Sequence, residues 1–428
     1  MPRFSVLYTI LAITVVAVQG EPQVDTRIRW TYTGSASPPE YAETPVLANE
    51  YILILHGTEV TALNATIGLK AWDWKLKSGN APFCKPALSA NKTVMYIGLC
   101  SSGGSKLYAL NTETGKLIWT SKDSFLLFGS SLVLSPDDKT LMVASQGYGA
   151  VQAFDTGTGE MRWKQLSQSR GSPFCSPVMS ADSQIVYTAT FGMDGGAYAI
   201  DMKNGSVIWR THYNNDGGGV LLSKDEKLLF LDGMAMLTRN GEQIWGRRQY
   251  FFSGGHNLLE STGKFAGKFL YAAYADHSVH DSLACFSVKT GNKTWSVDAW
   301  GGGAYPVLDR TGSIIYFGTT DDYLFSVSTE NGKVNWKTKI AWLEGNVLIA
   351  HNGKRLYAAS ASAGQLYAFN SDTGTVVWNS TIGPAVKVGL IGGASEVVQS
   401  RDKSTLFVKT NGSPSRKIPW KVTAVYAL

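Results

Sequence analysis

The side chains able to do chemistry in this chain are few, and their spacing says what each could do. His277 and His280, flanked by Asp276 and Asp281, form the densest group of metal-binding residue types. Three-residue spacing could bring both imidazoles to one ion, but a loop between strands does not enforce that geometry, and a polar turn accounts for the group better. Asp216 and Glu344 are carboxylates that an oxidoreductase could aim into a channel. There is no Gly-x-Ser-x-Gly elbow to present a nucleophilic serine. No catalytic residue and no metal ligand is assigned.

Cys84, Cys100, Cys175 and Cys285 allow three full pairings in an oxidising compartment. A Cys84–Cys100 bridge is expected, because both should lie on neighbouring strands of one repeat, while Cys175 and Cys285 are expected as buried thiols. Pro82-Phe83-Cys84-Lys85-Pro86 and Pro173-Phe174-Cys175-Ser176-Pro177 repeat one five-residue idea, read here as inherited similarity between repeats. Gly217 to Gly219, Gly254-Gly255, Gly301 to Gly303 and Gly392-Gly393 could suggest a phosphate cradle, but that needs a following helix and none is expected. Crowding of backbones near an axis explains them.

Residues 1–20 read as a secretory signal peptide: Arg3, an apolar run from Val6 to Val18, and short residues before a cleavage near Gly20. Six Asn-x-Ser/Thr sequons follow, at Asn64, Asn91, Asn204, Asn292, Asn379 and Asn411, several in short polar segments where a glycan is tolerated. The expected location is extracellular or the lumen of the secretory pathway, with no transmembrane segment. The net charge of +6 falls to +5 once Arg3 is removed, and its lysines and arginines are scattered through turns, which argues against nucleic acid as a partner.

What positions these residues is a repeat. Of 428 residues, 45 are Gly and 13 are Trp, a composition suited to strands and tight turns. A small residue, an apolar residue, Asn/Asp/Ser and a turn ending in Gly are followed four positions later by Trp. Ala109-Leu110-Asn111 leads to Gly115 and Trp119, and the same unit ends at Trp72, Trp163 and Trp209. It continues to Trp245, from a shortened copy starting at Leu237, and to Trp295, Trp336 and Trp378, with spacings of 47, 44, 46, 36, 50, 41 and 42 residues. That period suits four short strands. Asn or Asp starts the turn, Gly supplies positive φ, and the tryptophans wedge each sheet against the next. Ile28-Arg29-Trp30 supplies a fourth strand with nothing before it, and Tyr426-Ala427-Leu428 matches a third strand with nothing after it. The two ends are therefore expected to complete one blade and close a single all-β propeller over residues 21–428. Nine units can be counted, but the short copy at Trp245 lacks its Asn/Asp turn starter, so eight blades are expected.

Tyr108-Ala109-Leu110-Asn111, with Thr114-Gly115 and Trp119, resembles the repeat of the pyrroloquinoline-quinone propeller superfamily, and the likeness runs over about residues 28–428. That superfamily includes quinoprotein alcohol dehydrogenases and an outer-membrane assembly lipoprotein that binds no quinone; the chain is placed nearer the non-enzymatic members. The dehydrogenases carry a vicinal Cys-Cys disulfide, an acidic base and Glu, Asn and Asp calcium ligands; no Cys-Cys pair and no matching set occurs here. The resemblance therefore implies a monomeric binding or scaffold module for a protein, glycan or small ligand, with no cofactor expected. A divergent oxidoreductase using the quinone with calcium is the alternative.

Overall fold

Strands whose two faces are both apolar must be sandwiched between neighbouring sheets, and here the two middle strands of each repeat are of that kind. A computed structural model describes residues 25–427 except 35–44, 57, 76–85, 100–104, 123–131, 146–148, 168–175, 191–194, 213–219, 232, 247–257, 274–280, 300–305, 320, 341–342, 344–346, 361–362, 384–396 and 411–419. The described residues form nine four-stranded antiparallel sheets, eight from consecutive strands and one shared by the two ends. Blade 1 runs Val46–Ala48, Tyr51–His56, Glu59–Asn64 and Lys70–Lys75 in that order, and blades 2 to 8 follow over residues 87–120, 132–166, 178–210, 220–246, 258–298, 307–339 and 348–381. Its middle strands are buried almost throughout, whereas Lys70–Lys75, the outermost, mostly alternates exposed and half-buried as one wetted edge requires. Neighbouring sheets approach most closely at their first strands, as Ala87–Leu88 does to Leu132–Leu134, which puts those strands around the axis.

Register explains why the repeat begins with a small residue. Trp119 pairs across from Ala109, Trp163 from Ala153, Trp295 from Cys285 and Trp336 from Ser326. A bulge follows at each of these pairs, so the indole turns out of its own sheet beside a residue that leaves it room. Apolar clusters then join each blade to the next: Tyr96 and Trp119 of blade 2 meet Leu132 and Phe154 of blade 3. The last two clusters close the ring, with Trp378 against Leu406 and Val408, and Phe407 against Ile52 and Leu63.

Three expectations need correction. The described residues make nine blades, not eight: the copy at Trp245 is a complete sheet of Val220–Leu222, Leu228–Leu231, Met234–Leu237 and Gln243–Gly246. It is short because its middle strands have four residues each. Within it Leu237 takes the turn-starting place rather than the small one: Ala235 opposes Trp245, and the Gly241 N–H donates to the Leu237 carbonyl at 2.8 Å. The backbone bond closes the turn without a side-chain acceptor at its first residue, and Asn240 Oδ1 accepts the Glu242 N–H at 3.2 Å. At the end of the chain the third strand is Lys421–Tyr426, with Ala424, not Ala427, opposite Trp30, so the C-terminal match is displaced by three residues. The sharing of the last blade by Ile28–Thr33 and Lys421–Tyr426 is as expected.

Candidate functional site at the ring seam

The wedge is built from an indole and a glycine. At Gly115 φ is +68°, and a Cβ there would sit 2.5 Å from the Trp72 ring, so only glycine lets the indole of the preceding blade lie on the turn. Seven further turns repeat this seat, including Gly68 under Trp30 across the seam. In eight of the nine wedges the indole N–H also donates to a turn carbonyl of the next blade, such as Trp163 to Met202 at 2.8 Å. The ninth, Trp378, faces the shared blade, where no covalent turn joins third and fourth strands. Its N–H has no acceptor among the described residues, and the Arg27 guanidinium covers the ring at 5.6 Å.

On the other side of the shared blade two buried titratable side chains, His56 and Lys409, lie near the more exposed Glu59 and Lys75. His56 ends the second strand of blade 1 and is 7% exposed. Its Nε2 is 2.9 Å from the Thr61 hydroxyl, its Nδ1 is 4.0 Å from the Glu59 carboxylate, and its ring lies 4.8 Å from that of Trp420. Lys75 pairs with the other oxygen of Glu59. From the shared blade Lys409, 1% exposed, donates to the Leu55 carbonyl at 3.4 Å. Trp420 is held against Gly34, whose missing Cβ makes room for it.

Burial pushes the His56 imidazole down to about 4; Glu59 opposes that shift, while Lys409 and Lys75 add to it. The folded protein therefore holds His56 neutral in a range where the unfolded chain, near 6.5, protonates it. The unfolded state binds the extra proton, so stability is full above about pH 6.5 and falls as pH drops toward 4. The whole shift corresponds to about 3 kcal/mol. Urea titrations at both ends of that window should show His56→Gln losing less stability on acidification than the parent; an equal loss would remove His56 from the acid response.

Sequence reasoning missed this cluster, although it found the tryptophans around it. Of the sequence-derived candidates, Asp276, His277 and His280 lie outside the described residues, as do Asp216, Glu344, Cys84, Cys100, Cys175, Asn411, the signal peptide and the glycine-rich runs. Asp281 opens the third strand of blade 6, Asp281–Ser287. Among the described residues no group of three or more His, Cys, Asp or Glu could hold a metal ion. Cys285 is a buried thiol in the small-residue place opposite Trp295, and burial raises its pKa to about 11. It should resist iodoacetamide at mildly alkaline pH until denaturant is added; rapid alkylation of the folded protein would contradict this.

Around the axis the first strands carry apolar, mostly half-buried side chains, such as Leu88, Met179, Leu222 and Leu308. The two polar exceptions are engaged: Glu260 accepts the Lys224 N–H at 2.8 Å, and Gln399 donates to the Lys403 carbonyl at 3.1 Å.

A family profile described as outer membrane protein assembly factor BamB matches residues 22–123, 56–226 and 279–425. The chain belongs to this family. It is a pyrroloquinoline-quinone-like β-propeller. It is similar to the assembly factor BamB of Kangiella koreensis, 31% identical over 104 residues, 23% of this chain and 27% of that protein. It is also similar to a tetrathionate hydrolase of Acidithiobacillus ferrooxidans, 22% identical over 255 residues, 58% of this chain and 42% of that protein. The chain thus spans less than half the length of each of these curated relatives. Among solved structures, the quinohemoprotein alcohol dehydrogenase of Comamonas testosteroni aligns over 94% of this chain and 76% of its own, with a TM-score of 0.56 and 13% identity, a likeness of fold. Among the described residues the one carboxylate on a first strand, Glu260, accepts the Lys224 N–H, and the sequence has no vicinal cysteines. Among the described residues no helix is long and apolar enough to cross a membrane.

Proposed function

We propose that this family member is a secreted, N-glycosylated propeller that acts as an extracellular binding or scaffold module, working as a monomer and holding a protein, glycan or small ligand. The observation that carries this reading is the axis. Among the described residues the nine first strands contribute apolar side chains there, and their two polar residues, Glu260 and Gln399, are hydrogen-bonded. A redox centre would need convergent carboxylates and an aromatic or disulfide platform at that place. The rigidity of the ring, with each blade locked by an indole, suits a module that presents loops on a fixed frame. The assembly-factor name of the matched family favours a protein as the partner over a small molecule. Purified protein supplied with pyrroloquinoline quinone, calcium, a primary alcohol and a redox dye should not reduce the dye. Alcohol-dependent reduction would overturn this reading in favour of a quinoprotein.

A further inference from the structure

Antiparallel topology sorts the connections of every blade onto two rims. First-to-second hairpins and third-to-fourth turns fall on one, here named the turn rim; second-to-third loops and blade-to-blade connections fall on the other. Sequence order does not reveal how the sequons divide between them, but the sheets do. Asn64, Asn204 and Asn292 lie at the third-to-fourth turns of blades 1, 4 and 6, and Asn91 lies in the first-to-second hairpin of blade 2. All four are on the turn rim. Asn379 is exposed on Val376–Thr381, the outermost strand of blade 8.

The turn chemistry leaves the amides of Asn64, Asn91 and Asn204 ready for modification. Oδ1 of Asn64 accepts the N–H groups of Thr66 and Ile67 at 3.0 and 3.2 Å. Oδ1 of Asn91 accepts the Thr93 N–H at 3.1 Å, and that of Asn204 accepts the Ser206 N–H at 2.9 Å. In each case the donor includes the hydroxyl residue of the sequon itself. The folding role is thus carried by oxygen, while the Nδ2 groups of these three residues donate no hydrogen bond among the described residues. Attachment consumes Nδ2 alone: nitrogen attacks C1 of a lipid-pyrophosphate-linked oligosaccharide, the C1–O bond breaks, the lipid pyrophosphate leaves, and one amide proton is released. The turn survives because its acceptor is untouched.

We infer that the turn rim is a glycan-bearing face, covered from blades 1, 2, 4 and 6, and closed to protein partners, which bind the opposite rim or the outer strands. This rests on the secretory reading above. Glycosidase release in heavy-oxygen water, followed by peptide mapping, should mark Asn64, Asn91, Asn204 and Asn292 in protein recovered from the medium of eukaryotic cells. The same protein behind a heterologous signal peptide separates the two claims. Glycans on the turn rim only with the foreign signal would overturn the secretory reading and uphold this one. Lumenal protein with these four asparagines bare would overturn the glycan face. The chemistry can also be transplanted. Asn111 makes the same turn, accepting the N–H groups of Glu113 and Thr114 at 3.0 and 2.8 Å. Glu113→Thr completes a sequon there and should add one glycan without loss of secretion; an unmodified Asn111 in secreted protein would contradict the argument from turn geometry. Finally, synthetic nanobodies selected on the glycoprotein should map off the turn rim, and those selected after deglycosylation should include binders to it. Turn-rim binders raised equally well on the glycosylated form would refute the shielding.

Discussion

Trp163→Ala is expected to lower stability by roughly 3–5 kcal/mol, the range for emptying a buried aromatic site. The indole is 7% exposed and fills the space between blades 3 and 4 among Met142, Ala144, Tyr198 and Ile200. Truncation leaves a cavity that two rigid sheets cannot collapse into, and it strips the Met202 carbonyl of its donor. Trp163→Phe keeps much of the volume and loses the hydrogen bond, so its cost should be about 1–2 kcal/mol plus the lost area. Gly205→Ala should approach the loss from the other side: φ is +74°, and the new Cβ would lie 2.6 Å from the Trp163 ring. Urea midpoints for the three variants give the test. If Trp163→Ala were within about 1 kcal/mol of the parent, far below the usual cost of emptying such a site, the indoles would be surface decoration and the packing of blade on blade would need another explanation.

The second large effect is at the seam. A chain lacking residues 1–33, given a foreign signal peptide, should fail to yield folded protein, because Ile28–Thr33 is the outer strand of the shared blade. Without it Trp30 no longer covers Gly68, the Lys421–Tyr426 strand has an unpaired edge, and the ring opens at two faces at once. Failure of a deletion is weak proof by itself. A synthetic peptide of residues 25–34 added during refolding should restore cooperative unfolding by supplying the strand in trans. Rescue by a Trp30→Ala peptide should be much poorer. Equal rescue by both peptides would show that the seam is held by backbone pairing alone.

What was legible from sequence was local. The four-residue distance from Gly to Trp encodes a turn and a strand depth together, and every wedge except Trp378 has the same glycine seat in the structure. The shared blade was legible because Ile28-Arg29-Trp30 repeats the strand ending of the internal copies. Blade number was not: Leu237 breaks the side-chain rule for the turn, yet the backbone bond from Gly241 keeps the turn intact, so a defect in the motif was no defect in the fold. The His56 cluster was invisible for a different reason. Lys409 reaches Leu55 across 354 residues of sequence, and Trp420 belongs to no copy of the repeat, so nothing short-range announces that a histidine, a lysine and an indole will meet.

The pairing of Ile28 with Val425 carries a consequence for how the molecule is made. During synthesis the Ile28–Thr33 strand emerges with no mate and must wait until Lys421–Tyr426 has left the ribosome. The eight sheets between can stack progressively as an open arc, each on its predecessor, but the arc acquires its last partner only when Lys421–Tyr426 has emerged. Until then two apolar flanks and one bare strand are available to chaperones, and to other nascent copies. Ring closure is therefore a late, all-at-once event, and the quality control of this protein hangs on the Lys421–Tyr426 pairing more than on any single repeat.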